Sequence, residues 1–270
     1  MFLLLHNVFF YFNIYNDEFG FRGQASQLYA ISDVGKAAIH IITRMTDNEQ
    51  LLGGYWFLRE LLLASILGYM IIKHVKPLAL GGGILLVATI VFSVANIQLP
   101  YFHVKAVTFL STFFFVAGHI YKDMKPLDTQ WKTIIFFIIV VIGSVTVQTS
   151  MLRFNAVQVI PYSICALSGT IITINLSRYV AEKALLIKKV LVFIGDNTMM
   201  ILTWHFLSFK IVSIVLIYCY GLPVKELACF PVIDMNSQWL WAVYGIIGVG
   251  VPLICAYILG NLKKLRIFTK

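Results

Sequence analysis

The chain has 270 residues, of which 60% are apolar and only 12% charged, with a net charge of +9 and a mean hydropathy of +0.86. A water-soluble domain carries about twice that charged fraction, so the composition excludes an ordinary soluble enzyme. The positive charge does not point to a nucleic acid, because it is distributed over short loops between apolar runs.

A membrane-crossing helix needs roughly 20 mostly apolar residues. Windows of about this kind run over Met1–Tyr15, Tyr55–Ile72, Leu78–Ala95, Val107–Tyr121, Lys132–Gln148, Val157–Leu176, Asn197–Tyr220 and Trp239–Leu262. The expected fold is therefore all-α, a polytopic membrane helix bundle of about eight transmembrane helices filling residues 1–270 as one membrane domain. Barrel strands would alternate with period two, and these runs are continuous. The first window lacks the charged start and small-residue cleavage site of a signal peptide. It reads as a helix whose beginning is missing.

Between the first two windows lies the longest connection, Asn16–Gly54, with helical character around Asp33–Met45. A loop of this length is more often functional than idle. The other sizeable connection on that side is Gly221–Gln238. Arg178–Ile194 reads as a short amphipathic helix at the opposite surface. Gly195 is expected to end it, and Asp196 or Asn197 to cap the next helix.

Basic residues fall unevenly on the two sides. Lys73, Lys76, Lys122, Lys125, Lys132, Arg178, Lys183, Lys188, Lys189, Lys263, Lys264, Arg266 and Lys270 lie on one side. Arg22, Lys36, Arg44, Lys105, Arg153 and Lys225 lie on the other. The richer side is cytoplasmic by the positive-inside rule, so both termini are expected in the cytoplasm.

Ionisable groups at membrane depth are costly and mark functional candidates. Arg59 and Glu60 sit near the start of the second window, shortly after Trp56. His205 follows Trp204 about 12 Å into the helix beginning at Asn197, on one face with Thr198 and Ser208. An imidazole there suits general-base chemistry, although a lone histidine on such a helix also serves as a structural hydrogen-bonder. Lys210 lies deeper and needs a carboxylate, a cavity or an aqueous mouth; Glu60 is one candidate partner. His6 and Asn7 close a leucine-rich run. The four cysteines are scattered and suggest no disulfide framework, and no metal-ligand spacing or nucleotide loop occurs.

The run Phe193-Ile194-Gly195-Asp196-Asn197-Thr198-Met199-Met200-Ile201-Leu202-Thr203-Trp204-His205-Phe206 resembles a recurring segment of the type-three acyltransferases, integral membrane O-acyltransferases that include sugar O-acetylases. That pattern is apolar-Ile-Gly-x-Asn-Ser/Thr followed by an apolar stretch ending in His-Phe. Gly54–Glu60 resembles the family's Trp-Phe-Leu helix entry. A related version places an acidic residue five positions after the Trp, whereas Glu60 is four after Trp56. Ala166–Thr170 and the last helix with Pro252 are also similar.

The resemblance implies about ten helices with both ends cytoplasmic, and a catalytic His on the first helix preceded by Arg. His6, after Leu3–Leu5, matches that His passably, but no Arg stands ahead of it and helix counting places it on the third helix. The chain thus resembles a family member lacking its first two helices. The implied activity is O-acetyl transfer from acetyl-CoA to a hydroxyl of a lipid-linked or surface glycan, in a bacterial inner membrane, with no metal. Among the residues present, intramembrane polarity together with the resemblance makes His205 and Glu60 the catalytic candidates, while the base of the complete enzyme would come from the missing first helix. The candidates for substrate contact are Trp56, Arg59, Asn197, Trp204, Lys210 and His6. The alternatives are a glycan-lipid transporter or flippase, and a non-catalytic fragment of the family. Matched broken helices in two halves would favour transport, and no such internal symmetry is evident.

Overall fold

Apolar runs of this length keep their backbone hydrogen bonds within the segment, and the observed architecture follows from that requirement. The computed structural model describes residues 2–21, 27–44, 54–100, 102–124, 127, 130–147, 150–151, 155–235, 237 and 239–268. Among these residues the α-helices are α1 Phe2–Tyr11, α2 Ile31–Arg44, α3 Trp56–His74, α4 Leu78–Val94, α5 Ala106–Lys122, α6 Gln130–Thr146, α7 Val159–Lys183, α8 Leu185–Asp196, α9 Thr198–Tyr220 and α10 Leu240–Phe268. Short 3-10 turns occupy Ala156–Gln158 and Val224–Ala228, and no strand forms among the described residues.

Three helical segments are long and apolar enough to cross a membrane: Ala156–Lys183, Thr198–Tyr220 and Leu240–Gly260. Shorter apolar helices cover Leu78–Val94, Ala106–Lys122 and Trp131–Thr146. The first window yields only the ten residues of α1, about 15 Å of helix and half of a hydrocarbon core. The helix expected around Asp33–Met45 is α2.

The stretch Arg178–Ile194 is not one amphipathic helix. α7 carries through to Lys183 with Ala184 as its C-cap in a non-helical conformation, and α8 begins afresh at Leu185. Gly195 does not end α8 either, because the helix includes Asp196.

The chain divides into two compact units, Met1–Trp56 with Val190–Lys270, and Phe57–Lys189. In the second unit α4 packs on α5 and α6 on α7. Helix contact in a lipid-like setting relies on small residues and close van der Waals packing. Gly68 of α3 lies against the Phe115 ring of α5, and a Cβ at that position would collide with it. A Cβ at Gly143 of α6 would likewise collide with Cys165 Sγ of α7. The buried hydroxyls of Thr89, Ser111, Thr112 and Ser163 donate to the carbonyls of Leu85, Val107, Thr108 and Val159, one turn earlier on their own helices. Asn175 of α7 donates to the Leu127 carbonyl and to Thr133 of α6, joining that helix pair through its amide.

In the first unit α9 and α10 are the dominant pair and run antiparallel. Phe209 of α9 lies over Gly248 of α10, and Ser213 meets Tyr244. His6 of α1 donates from Nε2 to the Gln27 carbonyl at 2.8 Å and stacks on Tyr29 at 3.9 Å. Asn7 exchanges two hydrogen bonds with the Tyr29 backbone.

The glycine contacts make a stability comparison. Gly68→Ala is expected to destabilise the protein by about 1–3 kcal/mol through overpacking against Phe115. Gly83→Ala, where nothing lies within 4 Å, should be neutral or slightly stabilising. Thermal unfolding of the two variants in the same detergent checks this; equal behaviour would contradict the close α3–α5 contact.

Candidate functional site

The polar groups of the first unit converge on α9. His205 lies two turns into that helix and is partly buried. Its Nδ1 stands 3.1 Å from the Ile201 carbonyl and 3.0 Å from the Leu202 carbonyl. Both partners are acceptors only, so Nδ1 carries the proton and donates. In the neutral ring, Nε2 is then the atom with the lone pair. The ring is held by Phe206, with centroids 3.9 Å apart, and by the edge of Phe209 at 5.5 Å. Gly54 completes the enclosure: a Cβ there would stand 3.1 Å from His205 Cε1.

His205 lines a cavity of ≈ 240 Å³ whose other walls are Thr198, Ile201, Leu202 and Phe209 of α9 and Gly245, Gly248 and Val249 of α10. Two glycines in one stretch of α10 remove side chains where the space opens. Pro252 follows four residues after Gly248 and supplies no N–H, so the Gly248 carbonyl lacks its usual helical donor. The cavity is therefore almost wholly apolar except at the imidazole and at any backbone oxygen freed by the proline.

A second cavity, ≈ 490 Å³, is lined by residues of the same two helices, including Trp204, Ser208, Lys210, Pro252 and Cys255. The Lys210 ammonium donates to the carbonyls of Leu227 at 2.8 Å and Cys229 at 2.7 Å. Its partners are thus backbone oxygens of the connection after α9, and of the settings the sequence offered for it, a carboxylate, a cavity or an aqueous mouth, a cavity is present. Lys210 precedes the end of α9 by ten residues, about 15 Å. The connection must fold back along α9 to meet it.

A second set of bonds fixes the same connection. The Ile233 N–H donates to Tyr244 Oη at 3.3 Å, Tyr244 stands 3.1 Å from Ser213 Oγ, and Ser213 donates to the Phe209 carbonyl at 3.2 Å. Irregular backbone away from water requires such partners. Cys229 Sγ donates to Glu226 Oε2 at 2.9 Å within the turn.

The remaining sequence candidates are placed as follows. Trp204 and Lys210 share the larger cavity. Asn197 occupies the N-cap position of α9, but makes no side-chain cap bond. Its amide donates back to the Phe193 carbonyl at 2.8 Å, and Thr198 donates to the Gly195 carbonyl, so both side chains close the end of α8. His6 belongs to the α1 clamp described above, and Trp56 begins α3, partly buried.

Arg59 and Glu60, in the second unit, form a buried pair. Arg59 donates from Nη2 at 2.6 Å and from Nε at 3.2 Å to the single oxygen Glu60 Oε1. Glu60 Oε2 is buried and has no hydrogen-bond partner among the described residues. The described residues contain no group of three or more His, Cys, Asp or Glu side chains arranged to hold a metal ion.

Sequence reasoning missed Ser213, Tyr244, Gly54 and the Leu227 and Cys229 carbonyls. The spacing Gly245-x-x-Gly248 shortly before Pro252 was the one readable signal for the cavity wall. Comparison with protein-family models, curated proteins and solved structures finds no match to this chain.

The Lys210 contacts carry a prediction. Lys210→Met leaves two carbonyls without their donor, at about 1–3 kcal/mol each. Hydrogen exchange across residues 222–233 should then be at least tenfold faster than in the unaltered protein. Unchanged exchange would mean that the connection is held by something other than the ammonium.

Proposed function

We propose that the protein is a multi-pass O-acyltransferase of a bacterial inner membrane, moving an acyl group, acetyl in the simplest case, from acyl-CoA to a glycan hydroxyl. The carrying observation is the Nδ1–H of His205 donating to backbone carbonyls, which leaves a basic Nε2 on a ring that borders a cavity. In this reading the chain has about eight spans and both ends in the cytoplasm, as its basic residues suggest. The sequence run from Phe193 to Phe206, which resembles the type-three acyltransferases, adds the reaction class.

The chemistry asks for a base that takes the hydroxyl proton as oxygen attacks the thioester carbonyl, for donors near the developing oxyanion, and for the return of that proton to the CoA thiolate that leaves as the C–S bond breaks. His205 Nε2 is assigned the first task on its own geometry, a departure from the resemblance, which places a catalytic His on a first helix. Its Nδ1–H bonds keep the ring in the useful tautomer and orientation as charge builds up on the imidazole. Asn197 and Trp204 are assigned to the donor path. Trp56 is assigned to the acceptor, and Arg59 and Glu60 keep that assignment from the sequence alone, Arg59 clamping one oxygen of Glu60 within the second unit. Lys210 supplies a positive charge on α9. His6 is given a supporting role in holding the external segment.

A transport reading is favoured by a different observation, the connection that folds back beside α9 together with Pro252 inside α10. Transporters bind substrate at interrupted helices and irregular backbone. The two readings differ in what a cell loses.

The test is mass spectrometry of the surface glycan from cells carrying the intact gene or His205→Leu, at equal membrane abundance of the protein. Acyl transfer predicts that glycan acylation falls by about 100-fold or more, the usual scale of a lost general base, with the glycan chain otherwise present. Undiminished acylation would overturn the assignment of His205. Loss of the whole glycan, with its lipid-linked precursor stranded inside, would favour transport.

A further inference from the structure

None of the residues of α8 is buried. Leu185, Leu186, Ile187, Val190, Leu191 and Val192 are all exposed over more than half of their surface. The helix nevertheless has two distinct sides. At about 100° per residue, Leu186, Ile187, Val190, Leu191, Phe193 and Ile194 fall on one arc of roughly 160°. Lys188, Lys189 and Asp196 fall on the opposite side, and both lysines are exposed. No carboxylate pairs with either lysine among the described residues. Asp196 lies about 10 Å beyond Lys189 along the axis, and Glu182 precedes the helix beside Lys183. The middle of the polar side therefore carries two adjacent positive charges.

The place of α8 in the chain decides what its apolar arc meets. It joins Ala156–Lys183 to Thr198–Tyr220, both long and apolar enough to cross a membrane. At about 18 Å, α8 is too short to cross a ~30 Å hydrocarbon core itself. Its two ends are tied to the ends of crossing segments, so it runs along one face of the bilayer. The tie to α9 is tight: Asn197 and Thr198 donate back to the Phe193 and Gly195 carbonyls. A helix held at that level, with one apolar arc and one lysine-bearing side, sinks the arc among acyl chains and raises the lysines to the headgroups.

We infer that α8 is an in-plane helix that collects anionic phospholipid, with its apolar arc among the acyl chains and the Lys188 and Lys189 ammoniums on headgroup phosphates. Charge complementarity selects the lipid class. A zwitterionic headgroup brings its own cation to the phosphate, whereas an anionic headgroup leaves its charge for the lysines. Lys183 adds a third positive group at the end of α7, next to the start of α8. This inference does not depend on acyl transfer and goes beyond it.

The test places the full chain in nanodiscs of equimolar phosphatidylglycerol and phosphatidylcholine with identical acyl chains. A photoreactive benzoylphenylalanine replaces Leu186 on the apolar arc or, as a reference, the exposed Ile138 in the middle of α6. Mass spectrometry then identifies the lipid attached to each. At Leu186, phosphatidylglycerol adducts are expected to exceed phosphatidylcholine adducts by about fivefold or more, the scale of one lysine near an anionic surface. At Ile138 the two should be equal. Lys188→Gln together with Lys189→Gln should bring Leu186 to the same equality. The inference is overturned if Leu186 gives equal yields with both lysines present, or if Ile138 shows the same preference. It is equally overturned if the double substitution leaves the preference intact, or if the adduct at Leu186 is a second copy of the chain in place of lipid.

Discussion

Polar groups away from water must find partners, and in this protein the polar side chains of α9 meet that constraint on the backbone. His205 donates to Ile201 and Leu202, Ser208 to Trp204, Ser213 to Phe209, and Lys210 to Leu227 and Cys229. Every one of these bonds ends on a main-chain oxygen. The hydroxyls alone could be read as routine satisfaction of polar groups within a helix. The imidazole and the ammonium differ, because each has hydrogen-bonding capacity left after its backbone bonds are made.

That surplus separates two roles on one helix. The imidazole has a second nitrogen, and the ring borders a cavity opened by Gly245 and Gly248. Lys210 is among the residues lining the other cavity, while its ammonium is held by the Leu227 and Cys229 carbonyls. Lys210 also carries structural weight, since it holds a connection that would otherwise expose bare carbonyls. Removing the lysine thus mixes two effects, whereas removing the imidazole leaves no described long-range partner stranded.

The helical fold was legible from composition and run length. Seven of the eight windows recur as helices with ends shifted by a few residues; α7 and α10 run longer, and only Met1–Tyr15 shrinks, to α1. The pair Arg59–Glu60 was legible as polar residues near a helix start, though not which oxygen the guanidinium would take. Asn197 shows where local reasoning failed. Its position was read correctly, but a cap needs the side-chain oxygen to accept from the new helix, and the side chain instead turns its amide N–H back onto the Phe193 carbonyl at the end of α8. Lys210 shows a longer-range gap. Sequence logic offered a carboxylate, a cavity or an aqueous mouth for this cation, and a cavity is there, but its main-chain oxygen partners lie on a connection whose path no periodicity encodes. Tyr244 and Ser213 were invisible for the same reason, being matched only by the antiparallel register of α9 and α10.

The account rests on the protonation pattern of one ring. Nitrogen-15 NMR of histidine-labelled protein in lipid, with His205 assigned by comparison with His205→Leu, reads that pattern directly. The neutral ring is expected to be protonated at Nδ1 and bare at Nε2. A ring protonated at Nε2 and bare at Nδ1 would contradict it, because the bonds to Ile201 and Leu202 could not then exist and the proposed base would have no lone pair to offer at the cavity.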